Sequence, residues 1–92
     1  MTSFSESIVR KKQAETLKKV LRKPPSSNIK WADIESLIVA LGGEVKEENG
    51  SRVRFLLKGS IARFHRPHPS PDTDKGALVS LREWLESIGI KQ

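Results

Sequence analysis

The stretch "GSRVRFLLKGSIARFHRPHP", from Gly50 to Pro69, decides how this chain folds. Apolar residues alternate with polar ones on both sides of Lys58-Gly59, and a period of two is typical of β-strands with one buried face. A two-residue turn at Lys58-Gly59 therefore predicts a β-hairpin. Its inner face is expected to hold the apolar pairs Phe55 with Ala62 and Val53 with Phe64.

The opposite face of this hairpin is predicted to be basic. The same register pairs Arg54 with Arg63 and Arg52 with His65 on the open side of the sheet, and Arg66 is expected to continue that surface. Like charges directly opposite one another destabilise a sheet. The arrangement therefore indicates a surface that holds phosphate, whose oxygens suit the planar guanidinium group.

An alternative interpretation is that these arginines extend into water. They would then pair with Glu47, Glu48 or acidic residues of the last helix, and the surface would be an ordinary solvated hairpin. The sequence alone leaves both interpretations open.

The stretch also contains the only two histidines of the chain, His65 and His68. In an extended chain, residues three apart point to opposite faces, and only scattered acids could complete the set, so no metal site is predicted. No cofactor is expected either. Histidine ordinarily titrates at about pH 6.5, which suits proton transfer. Cleaving RNA without a metal needs a base, an acid and cations that stabilise the phosphorane. A cluster of histidine and arginine supplies all three.

Composition limits the remaining possibilities. The 92 residues contain no cysteine, which fits one small domain in a reducing compartment. Residues 1–30 hold eight lysines and arginines against two acids, whereas residues 31–92 hold nine of each sign. Such a basic arm either attracts nucleic acid or an acidic partner, or is an ordinary solvated helix face. No apolar run approaches the roughly 20 residues of a membrane span, and no secretory signal is visible, so a cytoplasmic protein is expected.

Three helices and one further strand complete the predicted fold. A basic helix over residues 6–23 is expected to pack Leu17 and Leu21 on the core, although RNA or a partner could instead use its lysines. Pro24-Pro25 ends it, so residues 1–28 form a basic arm with a linker, and residues 29–92 form the domain. Helices are expected from Trp31 to Leu41 and from Lys75 to Ile88, where Asp72, Thr73 or Asp74 caps the start.

A strand from Glu44 turns at Asn49-Gly50 to pair with the strand that contains Val53. A three-residue loop from Glu48 to Gly50 is expected to place Val45 beside Val53. The fold class is thus α+β, with the order α-β-β-β-α around a three-stranded antiparallel sheet and an additional N-terminal helix.

Several motifs in this order resemble the HicA toxin family over residues 29–90. They are "NGSRVRF", "FHRPHP", "DKGALVSLREWLESIGI" and an "I-x-W-x-DIE-x-L-x-x-ALG-x-E" segment from Ile29 to Glu44. The chain looks closest to the longer HicA-like variants. The resemblance implies a double-stranded-RNA-binding-domain-like fold, a toxin that binds and cleaves mRNA, and a HicB antitoxin. It also implies a toxin that is monomeric alone and forms larger complexes with its antitoxin.

One position departs from the family pattern. Its usual active-site motif is Gly-Ser-His, whereas this chain has Gly50-Ser51-Arg52. The predicted compensation is that His65, opposite Arg52, transfers the proton while Arg52 stabilises the phosphate charge. His68 resembles the family histidine of a "Pro-x-His" segment, and Lys75 begins a match to "Lys-Gly-Thr-Leu". The predicted RNA-binding residues are Arg54, Arg63, Arg66, His68 and Lys75.

Three functions remain open at this point. The chain is a metal-independent ribonuclease toxin, a non-catalytic RNA-binding module of the same fold, or a protein-interaction domain with a basic surface. Binding to RNA distinguishes the first two from the third, and cleavage distinguishes the first from the second.

Overall fold

A computed structural model describes residues 3–26, 28–68 and 70–90. The predicted α+β class and the predicted order of elements, including the additional N-terminal helix, are confirmed. The elements are α1 (Ser3–Leu21), α2 (Trp31–Ala40), β1 (Glu44–Glu47), β2 (Arg52–Leu57), β3 (Ser60–His65) and α3 (Lys75–Ser87). The first helix thus ends two residues before the predicted Lys23. Proline disfavours helical geometry at the residue that precedes it, here Lys23.

The hairpin of β2 and β3 has the predicted register. Phe55 lies opposite Ala62, and Val53 lies opposite Phe64. Both turn residues have positive φ, 52° at Lys58 and 75° at Gly59, which is the backbone geometry of a two-residue type I′ turn. The local sequence therefore sets this register.

The register between β1 and β2 differs from the prediction. Val45 lies opposite Phe55, and Glu47 lies opposite Val53. The backbone nitrogen of Glu48 donates to the Arg52 carbonyl oxygen at 2.8 Å, so the three-residue loop is shifted by one residue from the predicted position. The predicted pair of Val45 with Val53 is wrong. A two-residue slip keeps every side chain on its face, so the alternation could not distinguish the two registers.

The core lies between one face of the sheet and the helices. Phe55, which is fully buried, stacks on Trp31 of α2 with ring centroids 5.6 Å apart and lies 6.3 Å from the Trp84 ring of α3. Helices α2 and α3 therefore cover the same face of the sheet. The aliphatic residues buried with them include Ile34, Ile38, Leu78, Leu81 and Leu85.

Helix α1 packs on this core through its last two turns. Val20 is fully buried, and Leu17 and Leu21 pack beside it, as predicted for the helix. Lys18 and Lys19 are exposed. The helix therefore contributes to the core while its lysines stay in water.

The segment before α3 is anchored to the segment before α2. The Thr73 backbone nitrogen donates to the Ile29 carbonyl oxygen at 2.8 Å, and the Trp31 nitrogen donates to the Pro71 carbonyl oxygen at 3.0 Å. Of the three predicted caps, Asp74 is the N-cap of α3, accepting from the Ala77 nitrogen at 3.2 Å. In the described part of the chain, no helix has the length and apolar character needed to span a bilayer.

Candidate nucleic-acid interface

The sheet face opposite the helices, here called the outer face, carries the predicted arginines. Pairing across the three strands arranges its side chains in three layers. The layer nearest the β2–β3 turn holds Glu44, Leu56 and Ile61, the middle layer holds Lys46, Arg54 and Arg63, and the last layer holds Glu48, Arg52 and His65.

Arg52 and His65 lie directly opposite each other in the last layer, and both are exposed. Opposite residues in an antiparallel pair have Cβ atoms about 5 Å apart, so the two side chains reach a common ligand. They line a shallow depression of about 210 Å³ together with Arg63 and Phe64. Among the described residues, Arg52 has no acidic side chain within ion-pair distance. Its guanidinium group is therefore available to an anion.

The two arginines of the middle layer share one carboxylate. Arg54 and Arg63 lie opposite each other. Glu48 reaches both, with Oε2 at 3.8 Å from Nη1 of Arg54 and Oε1 at 3.6 Å from Nε of Arg63. The charge repulsion of this pair is thus offset within the protein, as the interpretation with solvated arginines anticipated. The sequence analysis did not identify the specific role of Glu48 between the two arginines.

Arg66 does not continue the outer face. It follows the strand with the same orientation as Phe64, toward the helices, and donates to Glu47 Oε2 at 2.6 Å and to Glu35 Oε2 at 2.9 Å. These hydrogen bonds to Glu47 and Glu35 raise the pKa of Arg66 above its ordinary value. Glu35 also accepts from Trp31 Nε1 at 2.6 Å. Arg66 therefore ties the end of β3 to α2 and β1.

The remaining predicted residues lie outside these layers. His68 is exposed in the segment between β3 and α3, and Lys75 is exposed at the first position of α3. Within the described ranges, no hydrogen bond or ion pair joins either side chain to Arg52 or His65. No three His, Asp or Glu side chains of these ranges come together as metal ligands. The roles of His68 and Lys75 in RNA binding stay predictions.

The sequence analysis also assigned no role to two apolar residues of the outer face. Leu56 and Ile61 lie opposite each other, and Ile61 is 48% exposed. The alternation contained a signal for them. Both residues occupy outer-face positions next to arginines, where a polar residue is expected, yet both are aliphatic. They interrupt the polar side of each strand.

Comparison with protein families assigns the chain to a class of small proteins from bacterial toxin–antitoxin systems. The family model described as "HicA toxin of bacterial toxin-antitoxin" matches residues 31–90, which is well over half of the chain. The chain therefore belongs to the HicA toxin family, as the sequence motifs predicted. The matched region contains α2, the three strands and α3. Comparison with curated proteins and with solved structures gave no significant match.

Proposed function

We propose that this toxin binds mRNA on its outer face and cleaves it without a metal ion. The observation that carries the proposal is the pairing of Arg52 with His65, exposed and directly opposite each other on an open sheet face with further arginines. A cation and a proton-transfer group thus face one point on the surface. The combination suits phosphodiester cleavage by the 2′-hydroxyl group of RNA.

The proposed reaction uses the two side chains in sequence. His65 accepts the proton of the 2′-hydroxyl while the 2′-oxygen attacks phosphorus, and Arg52 stabilises the additional negative charge of the phosphorane. The bond from phosphorus to the 5′-oxygen then breaks, and the imidazolium returns its proton to that oxygen. The products are a 2′,3′-cyclic phosphate and a 5′-hydroxyl end.

The proposed role of His65 also accounts for the altered motif. In the family pattern a histidine occupies the position that is Arg52 here, and the opposite strand provides His65 at the neighbouring place. The imidazole would thus lie on the strand opposite its usual position while facing the same ligand. Arg54 and Arg63, one layer away, would hold an adjacent phosphate.

A second candidate function is RNA binding without cleavage. The observation that favours it is the same substitution, because Arg52 cannot transfer a proton at neutral pH. In this case the outer face would remain a phosphate-binding surface, and His65 would contribute only a polar contact.

We further propose a HicB-like antitoxin as the partner, acting on a cytoplasmic toxin. The support is membership of a toxin–antitoxin family. An antitoxin that covers the outer face would exclude RNA from Arg52 and His65. The free toxin would be a monomer, and its complex with the antitoxin would be a larger oligomer.

Cleavage of an end-labelled RNA in excess EDTA tests the proposal. The unmutated protein should cut the RNA, whereas His65→Ala and Arg52→Ala should abolish cutting and leave the melting temperature unchanged, since both side chains are exposed. Lys18→Ala, an exposed residue of α1, is the control that should retain activity. Binding without cutting by the unmutated protein would establish the second candidate. An absence of RNA binding even at low salt would indicate a protein-interaction domain.

A further inference from the structure

We propose that Leu56 and Ile61 form a nucleobase subsite of the outer face, which contacts one base of a single-stranded RNA. The inference rests on the proposed function, because it assumes that RNA lies on this face. It adds a contact with the base rather than with the phosphate, at the end of the outer face nearest the β2–β3 turn.

The exposure of the two side chains is the first observation. Ile61 is 48% exposed, and with Val39 it is one of two large apolar side chains that the described residues leave open to this degree. Leu56 lies directly opposite and is half-buried. Together they form an apolar floor on a face whose other strand positions are charged or carry the histidine. Such a floor gains stability when a flat apolar group covers it.

The neighbouring arginines indicate what covers this floor. Arg54 and Arg63 occupy the next layer of the same two strands, about 7 Å away at two residues along a strand. That step is close to the length of one nucleotide in an extended chain. A phosphate held by Arg54 and Arg63 would thus place the attached base over Ile61, where the side chain and the adjacent guanidinium plane provide stacking surfaces.

The same spacing sets the order of the contacts along the bound RNA. Moving from the turn toward the open end of the hairpin, the layers offer a base contact, a phosphate contact and then Arg52 with His65. A duplex keeps its base faces stacked on one another and cannot present one to Ile61. The ligand is therefore a single strand that runs along β2 and β3.

The floor on its own is too small to define a protein-binding site, and an antitoxin would cover it only as part of the whole outer face. A stable protein interface buries about 800 Å² on each partner, whereas two aliphatic side chains provide only a small part of this. The adjacent layer holds three cations, Lys46, Arg54 and Arg63, against the carboxylates of Glu44 and Glu48, and this excess of positive charge complements phosphate. A single base with its phosphate fits both the size of the floor and the charge beside it.

Binding of two matched probes tests the subsite. One is a single-stranded oligonucleotide, and the other is an abasic strand of the same length with the same phosphates. We expect the unmutated protein to bind the first about tenfold more tightly. Ile61→Thr should reduce this preference to about threefold while leaving the salt dependence of binding unchanged, because the phosphate contacts remain. Val39→Thr, at the exposed apolar position of α2, is the matched control and should leave the preference unchanged.

A second variant keeps the test decisive if Ile61→Thr weakens the hairpin. Ile61→Tyr retains a strand-forming residue and should increase the preference for the base-bearing strand, because aromatic rings stack better on bases. Equal binding of the two probes by the unmutated protein would overturn the subsite and leave the proposed function intact. Equal weakening of both probes by Ile61→Thr would overturn it too. Failure to bind either probe at low salt would refute the proposed function and, with it, the subsite.

Discussion

Replacing Glu48 with glutamine should strengthen RNA binding and at the same time weaken the fold. The Glu48 carboxylate lies between Arg54 and Arg63, 3.8 Å from one guanidinium group and 3.6 Å from the other. A bound phosphate must compete with this internal anion for the same two cations. The neutral amide removes the competitor but also removes the charge that offsets the repulsion between the arginines.

The distances give the expected magnitude. Two unit charges about 4 Å apart attract by about 1 kcal/mol at the dielectric constant of water, and exposed ion pairs contribute about 0.2–1 kcal/mol in measurements. All three side chains are at least partly exposed, at 29% for Glu48, 33% for Arg54 and 61% for Arg63, and the N–O distances are long, so each contact is taken at about 0.2–0.7 kcal/mol. Two such contacts amount to about 0.4–1.4 kcal/mol, which corresponds to a gain of roughly two- to tenfold in RNA affinity.

Fluorescence anisotropy with a labelled single-stranded RNA at low salt measures this gain. The matched control is Glu44→Gln, which changes the net charge equally and lies on the same face of the sheet, in β1 opposite Leu56. In the described part of the chain, Glu44 forms no ion pair. The control therefore reports the effect of removing one negative charge from this face without breaking an ion pair, and Glu48→Gln should exceed it.

Thermal unfolding of the same two variants supplies an independent readout. Glu48→Gln should lower the melting temperature by a few degrees, whereas Glu44→Gln should leave it almost unchanged. Equal affinities for the two variants would refute the competition between Glu48 and phosphate. A loss of affinity in Glu48→Gln would show that the carboxylate orients the arginines for RNA instead of competing with it.

Two predictions concern the contacts that hold the site in place. Arg66→Met should lower the free energy of unfolding by about 1–2 kcal/mol in urea titrations, because Glu47 and Glu35 lose a charged hydrogen-bond partner. The control is Arg63→Met, which breaks a more exposed ion pair and should lower that free energy by less than about 1 kcal/mol. Equal losses in the two variants would contradict a structural role for Arg66. We also propose that residues 1–28 form a basic arm and residues 29–92 the domain it packs on. Deleting residues 1–23 removes the buried Val20 and should lower the melting temperature by roughly 10 °C, whereas an unchanged value would contradict the packing of α1.

The candidate site was only partly predictable from the sequence. Alternation and a two-residue turn placed Arg52 opposite His65, because both signals are local. They could not show that Glu48 reaches Arg54 and Arg63, since that contact depends on the register of a third strand. The strand pattern ended at His65, and the predicted place of Arg66 on the outer face was therefore an extrapolation.

The sequence by itself determined the order of the helices and strands, the sheet face on which each side chain within the strands lies and the register of the β2–β3 hairpin. These features depend on periodicity and turn chemistry within a few residues of each other. Membership of the HicA toxin family was equally visible in the sequence, because several motifs recur in one order.

Only the tertiary structure decided the register of β1 and the position of Arg66. Two registers of β1 that differ by two residues satisfy the same alternation, so packing on the core selected the one in which Val45 lies opposite Phe55. Arg66 lies toward the helices because Glu35 of α2 and Glu47 of β1 converge there. Residues distant in sequence provide both carboxylates, and local patterns carry no information on where such residues meet.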